Sequence, residues 1–223
     1  EPMRRNTAPC IGWATYHIQA KNPNANIIVT PADHLILQEE VFSKAIQQAL
    51  KYVANHPQLV TLGVRPSRPE TGYGYIQITG GTEHDFVKVK TFTEKPNLEM
   101  AKVFYESGEF LWNSGMFAWN VQTILEAFER YLPALTSVLD EAKGHYAQPD
   151  EQSRVSAIFS QCPNISIDYA VLEKADNVMV LPVDFGWADL GTWGSLYDLK
   201  KTEERGNVAL HTEALFYEAE GNV

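Results

Sequence analysis

Cysteine is nearly absent: the 223 residues hold two, Cys10 and Cys162. That supports neither a disulfide framework nor a cysteine-built metal cluster, and it suits a reducing compartment, so the cytoplasm is the expected location. Long apolar runs are missing as well. None reaches bilayer-spanning length, and the opening Glu1-Pro2-Met3-Arg4-Arg5-Asn6 lacks the apolar segment of a signal peptide. Positive charge is in deficit, with 18 Lys+Arg against 28 Asp+Glu and a formal net charge of −10. An acidic surface argues against nucleic acid and against an anionic membrane as partners. It leaves phosphate ligands open, because a few cations, backbone amides and a divalent ion can hold a phosphate inside an acidic protein. What is present is ordinary: 44% hydrophobic and 21% charged residues supply a core, in a length that suits one large domain or one domain and the start of another.

The first half alternates between two periodicities. Asn26 to Thr30 is a short β-branched run stopped by Pro31, which predicts a buried strand. Val41, Phe42, Ala45, Ile46, Ala49, Leu50 and Val53 recur at three- and four-residue spacing, predicting a helix with one apolar stripe. Leu59 to Val64 predicts a second buried strand, and strand–helix–strand implies a parallel crossover. Tyr75 to Ile78 and Asp85 to Lys95, joined through Thr79-Gly80-Gly81-Thr82, predict an antiparallel hairpin. Farther on the pattern predicts a helix over 98–107 with Gly108 past its end, a strand over 115–119 and helices over 121–131, 134–143 and 153–159. A short helix over 167–174, a buried strand over 177–183 and a last helix over 192–201 follow. In the tail, Gly206-Asn207-Val208 recurs as Gly221-Asn222-Val223. That reads either as two turns or as the entry into a β region.

Several short segments carry candidate chemistry, and each has a plainer reading. Asp33-His34 follows the first strand, where ligands of open parallel sheets gather; Asp33 can equally cap a turn. Asp189, in Trp187-Ala188-Asp189-Leu190-Gly191-Thr192-Trp193, also follows a buried strand. Two strand-end carboxylates can share one Mg²⁺, which takes oxygen ligands from one or two carboxylates plus substrate phosphates; the alternative for Asp189 is a helix N-cap. Tyr73 and Gly74, in Thr71-Gly72-Tyr73-Gly74-Tyr75, offer close backbone approach and a hydroxyl for sugars, or an ordinary hairpin entry. Glu94-Lys95-Pro96 offers an acceptor for sugar hydroxyls and a cation for a phosphate. Neighbours in a strand point to opposite faces, so both reach one ligand only if the chain bends there; otherwise they are a solvated charge pair. Asn113, in Trp112-Asn113-Ser114-Gly115, can donate to and accept from a sugar hydroxyl, or serve a turn. Glu1, with Asn6 nearby, can match the adjacent N1–H and N2–H₂ donors of guanine, and a site built for both rejects adenine; the alternative is a frayed terminus.

No one of these segments decides the matter, but their order does. Glu-Pro-x-x-Arg-Asn-Thr-Ala-Pro, Pro-Ala-Asp-His, Thr-Gly-Tyr-Gly-Tyr-Ile, Phe-x-Glu-Lys-Pro, Trp-Asn-Ser-Gly-Met-Phe and Trp-x-Asp-x-Gly-x-Trp follow one another from Glu1 to about Lys201. The series resembles the mannose-1-phosphate guanylyltransferases, a family of sugar nucleotidyltransferases. The resemblance implies an α/β fold: a Rossmann-like nucleotidyltransferase domain with a mixed, mainly parallel sheet over 1–203, and the start of a β-helical C-terminal region over 204–223. It implies a Gly-rich strand–loop–helix unit ahead of the first motif, so the expected domain lacks that first unit. By the same likeness Asp33 and Asp189 would hold Mg²⁺ on the nucleotide phosphates, and Glu1 and Asn6 would lie at the guanine of GTP. Tyr73, Gly74, Glu94 and Asn113 would meet mannose 1-phosphate, with Lys95 at its phosphate and catalytic together with the two aspartates. The product would be GDP-mannose, and a homodimer is an expected assembly. Two other expectations stand beside it: a pyrophosphorylase for another sugar 1-phosphate, and a non-catalytic nucleotide-sugar binding or regulatory module.

Overall fold

The computed structural model describes residues 1–80, 86–191, 197, 206–209 and 214–222. The expected helix over 192–201, residue 197 apart, and the centre of the expected hairpin turn lie outside the described residues. The elements run α1 (Thr7–Lys21), β1 (Asn26–Val29), β2 (His34–Ile36), α2 (Glu39–Val53), β3 (Leu59–Val64), β4 (Tyr75–Ile78), β5 (Val87–Thr93), α3 (Leu98–Ser107), β6 (Phe110–Asn120), α4 (Val121–Tyr131), α5 (Pro133–Asp140), α6 (Glu151–Ile158), a π-helical turn (Asp168–Leu172), β7 (Val178–Val183) and β8 (Trp187–Asp189).

Period-two alternation sorts the central strands onto two faces. Val60, Leu62, Met116, Ala118, Leu181 and Val183 pack with Ala45, Ala49 and Val53 of α2. Leu59, Phe117 and Trp119 turn the other way, onto Ile11 and Tyr16 of α1, Ile124 and Phe128 of α4 and Leu135 of α5. The result is three layers, with helices on both faces of the sheet. On α2, Ala45, Ala49 and Val53 are the buried part of the expected stripe. α3 ends on Gly108 at φ 71°, the left-handed residue that closes many helices.

The six-stranded sheet has the order β1-β6-β3-β7-β5-β4, with a further pairing between β6 and β4. It is mixed, as expected. β1, β3, β4 and β7 run one way and β5 and β6 the other. "Mainly parallel" therefore holds for strand direction but not for neighbours: β3–β7 is the parallel pair among the described strands, because β6 enters between β1 and β3. The long β6 pairs with β3 and β4 at once, and β3, β6, β4, β5 and β7 close into a ring. Ile76, Val87, Leu111 and Val180 form the small cluster of that ring. Gly63 lies against it, and a Cβ there would stand 2.6 Å from Val180 Cγ2 and 2.7 Å from Leu111 Cδ1. Gly63→Ala is thus an overpacking substitution. It should cost about 1–3 kcal/mol, seen as a fall in melting temperature of roughly 2–4 °C per kcal/mol.

Two features depart from the sequence expectations and shape the site. The first is α1, which follows directly on the Arg-Asn-Thr-Ala-Pro motif. Its buried face carries Ala8, Ile11, Gly12, Thr15 and Tyr16, a face on which Gly12 and Thr15 interrupt the apolar residues. Close approach holds it, since a Cβ on Gly12 would lie 3.0 Å from both Leu135 Cδ2 and Leu139 Cδ1. Glu151 pins its outer side, accepting from Trp13 Nε1 at 2.6 Å and pairing with His17 Nδ1 at 2.6 Å. The second is a two-stranded sheet of β2 and β8, in which His34 lies opposite Asp189 and Ile36 opposite Trp187. In the tail the two Gly-Asn-Val copies meet: Val208 N donates to Asn222 O at 2.8 Å, and Asn222 N to Asn207 Oδ1 at 3.1 Å.

Candidate active site

Asp33 and Asp189 are 156 positions apart in sequence, and the β2–β8 ladder brings the segments that carry them side by side. Asp189 lies across from His34, and Asp33 is the residue before His34. The Asp33 carboxylate is almost fully open to solvent, at 89% exposure. Asp189 Oδ1 accepts from Gly191 N–H at 2.5 Å, so it caps its own turn and no described helix. His34 Nδ1 accepts from the Trp187 indole at 3.0 Å, which leaves Nε2 3.9 Å from Asp33 Oδ1. Among the described residues no group of three or more His, Cys, Asp or Glu converges to hold a metal ion. Two carboxylates still meet the usual protein share of a magnesium site, in which water and substrate phosphates fill the other positions. The donor set therefore fits a hard divalent ion brought with a nucleotide.

A second cluster forms where β4, β5, β6 and the π turn meet. β5 ends at Thr93, and Lys95 takes φ 45°, a left-handed conformation unusual for a side chain of its size. That bend puts Lys95 Nζ 3.2 Å from Glu94 Oε1. Glu94 Oε2 in turn sits where a Cβ of Gly74 would be, 2.6 Å away. Asn113 N donates to Gly74 O at 2.8 Å. Gly74, Glu94, Lys95 and Asn113, scattered over three sequence motifs, thus share one place.

Asn113 owes its direction to a bulge. Thr61 pairs with Phe117 and Gly63 with Asn113, so Leu62 alone faces Ser114, Gly115 and Met116. Bulges near active sites re-aim side chains. Ser114 Oγ donates to Leu62 O at 2.6 Å, and Gly115 takes φ 71°, within reach of Pro31. Asn-Ser-Gly is therefore a break inside a long strand and not a turn before one.

The aromatic residues join the two clusters. Tyr73 packs on Trp112 at 5.1 Å and Trp187 at 5.0 Å between ring centroids. Its hydroxyl reaches Asp189 O at 3.4 Å, and the residue is buried. Its ring ties the Gly74–Asn113 loop to the Asp189 strand. Glu1 and Asn6 are not brought to either cluster. Asn6 caps α1, accepting from Thr7 N at 2.9 Å. With exposed Glu1 it shares a shallow groove lined by Arg4, Thr7, Cys10 and Asn164.

Two carboxylates at the second cluster carry no motif in the sequence. Asp168 Oδ1 accepts from Asn113 Nδ2 at 2.8 Å. Burial pushes its carboxyl above the ordinary range and neighbouring Glu94 adds to that, while Asn113 and Lys95 oppose it. Glu173 is raised too, by burial first and then by Asp168 and Glu94. A half-buried carboxylate of raised pKa beside other polar groups is a candidate for a functional place. The sequence signal for Asp168 is one acid inside an otherwise apolar helical run, Ile167 to Leu172.

A three-layer α/β fold with polar and charged side chains gathered at strand ends is the architecture of α/β domains that bind ligands outside the carboxyl ends of their strands. Residues 1–206 match the family described as Nucleotidyl transferase, and the chain belongs to it. It is 40% identical over 215 residues to a mannose-1-phosphate guanylyltransferase of Escherichia coli, covering 93% of this chain and 46% of that protein. Among solved structures it is similar to a mannose-1-phosphate geranyltransferase from Thermus thermophilus, with a TM-score of 0.82 and 33% identity over 94% of this chain and 59% of the other. It is also similar to a mannose-6-phosphate isomerase from Helicobacter pylori, with a TM-score of 0.68 and 26% identity over 84% of this chain and 72% of the other. The chain spans about half the length of the curated relatives it matches.

Proposed function

We propose that this chain belongs to an enzyme that makes GDP-mannose and pyrophosphate from GTP and mannose 1-phosphate. The observation that carries the reading is the pairing of the Asp33–His34 segment with the strand of Asp189, linked through Tyr73 to the Gly74–Glu94–Lys95–Asn113 cluster. A phosphate oxygen of mannose 1-phosphate attacks the α-phosphorus of GTP. The new P–O bond forms as the bond to the β-phosphate oxygen breaks, and pyrophosphate leaves in line. No general base is needed, because a phosphate monoester is already largely dianionic at neutral pH, with a second pKa near ~6. Catalysis is then positioning and charge neutralisation. Asp33 and Asp189 would hold Mg²⁺, whose charge offsets repulsion between the two anionic substrates. Lys95 holds the attacking phosphate by charge. Gly74, Glu94 and Asn113 hold the sugar hydroxyls, and Glu1 and Asn6 lie at the guanine. Mannose and guanine are supported by the named relatives and by the motif order. The same reading takes 1–203 as the nucleotidyltransferase domain and 204–223 as the opening of a C-terminal β region, supported by the pairing of the two Gly-Asn-Val copies. It places the protein in the cytoplasm, as a homodimer, with no nucleic-acid or membrane partner; among the described residues no helix is long and apolar enough to cross a membrane.

A pyrophosphate-release screen tests the reading, with GTP, ATP and UTP each paired with mannose, glucose and fucose 1-phosphates. GTP with mannose 1-phosphate should give the highest kcat/KM. A different best pair would replace the substrate assignment. Binding of GDP-mannose without pyrophosphate release from any pair would replace the enzyme with a binding module.

A further inference from the structure

Asn113 has both ends of its amide engaged by the protein. Nδ2 donates to Asp168 Oδ1 at 2.8 Å, and Oδ1 accepts from Gly115 N–H at 3.1 Å. A carboxylate accepts and a backbone N–H donates, so these two partners fix which end of the amide is which. One Nδ2–H and one Oδ1 lone pair remain for a ligand, in a set order.

The element that brings Asp168 to this place is unusual. A π turn is rare and concentrates at functional positions. Here it is closed by Glu173 N donating to Asp168 O at 2.9 Å, while Ala170, Val171 and Leu172 of the same turn are buried core. A half-buried carboxylate beside Glu94 and Glu173 in that setting is costly, with Lys95 the cation that opposes its shift. An apolar residue would serve the core better, so the carboxylate calls for a role outside folding.

We propose that Asp168 is a positioning residue: it locks the Asn113 amide in one orientation and so presents a fixed donor–acceptor pair to the sugar hydroxyls. The proposal rests on the reading that Asn113 meets the sugar of mannose 1-phosphate. It gives the cluster a means of selecting hydroxyl geometry, since a flipped amide would exchange donor for acceptor.

A double-mutant cycle tests it, with calorimetric titration of mannose 1-phosphate into the chain and GTP as the control ligand. Asp168→Ala should weaken mannose 1-phosphate binding about 10-fold, the scale of a lost orienting partner. In an Asn113→Ala background the same change should matter less than about twofold, because its target is gone. Asp168→Asn keeps an acceptor for Asn113 Nδ2 and should stay within about threefold of wild type. GTP affinity should not move in any variant. Asp168→Asn also guards the test if the alanine variant folds poorly. Its raised pKa means that Asp168 stabilises the fold at low pH and that this contribution is lost as pH rises above the ordinary carboxylate range. At neutral pH, then, the amide should melt no lower than the wild type. An undiminished loss in the Asn113→Ala background, a loss in Asp168→Asn as large as in Asp168→Ala, or a parallel loss of GTP would overturn the proposal. Failure of the wild-type chain to bind mannose 1-phosphate at all would instead bring down the substrate reading, and this inference with it.

Discussion

Asp189→Asn should lower the rate of pyrophosphate release by two to three orders of magnitude and leave the fold intact. The size follows from the work assigned to the pair. Two anionic substrates must approach, and a divalent ion held by two carboxylates is worth several kcal/mol of charge stabilisation, or roughly 10²–10³ in rate. Asparagine keeps an oxygen for Gly191 N–H, the 2.5 Å bond that shapes the turn. The loss is therefore in ion binding and not in structure. Melting should shift by no more than the ~0.5 kcal/mol usual for surface changes. Asp33→Asn should behave alike, and its 89% exposed carboxylate leaves even less for the fold to lose. Turnover near the wild-type value in either variant, at saturating Mg²⁺, would remove that residue from the pair.

Gly74→Ala should raise KM for the sugar phosphate by about 10²-fold, the cost of displacing a positioning group by an ångström, with KM for GTP unchanged. The added Cβ would meet Glu94 Oε2 at 2.6 Å and Asn113 Cβ at 3.4 Å. The first contact is impossible and the second ordinary, so the movable end of Glu94 gives way. Its carboxylate leaves the place beside Lys95 Nζ, and the cluster loses its acceptor. The protein should still fold, because the clash is with the tip of a flexible side chain. A variant with normal KM for the sugar phosphate would show that Glu94 stands away from the substrate.

The contrast between these residues and the core explains what is readable in the sequence. β3 and β7 are buried nearly throughout, and α2 and α4 each carry one apolar stripe, so periodicity alone outlines them. The expected 121–131 and 98–107 helices coincide with α4 and α3. β2 and β8 are three-residue strands, too short to leave a period, yet their pairing sets the Asp33–His34 segment beside Asp189. α1 leaves a weak periodic signal because Gly12 and Thr15 share its buried face with Ala8, Ile11 and Tyr16. The N-terminal half of β6 is hidden by Trp-Asn-Ser-Gly, whose small polar residues suit a turn as well as the bulge they form. Tyr73 is legible as part of a glycine loop, but its packing is not, since that loop does not reveal that the ring will lie against Trp112 and Trp187. Asp168 gives the faintest signal: one acid in a helical run looks like a solvated position until a π turn sets it against Asn113. Order among motifs reveals the family; local geometry assigns the residues.

The claim on which the rest depends is that β2 and β8 make one divalent-ion site from two distant aspartates. Titration of GDP-mannose into the chain, with Mg²⁺ and again with EDTA, tests it most directly. The wild type should bind at least about tenfold more tightly with Mg²⁺, or ~1.4 kcal/mol, and Asp33→Asn and Asp189→Asn should each erase that difference. A magnesium effect that persists undiminished in both variants would place the ion elsewhere and contradict the account.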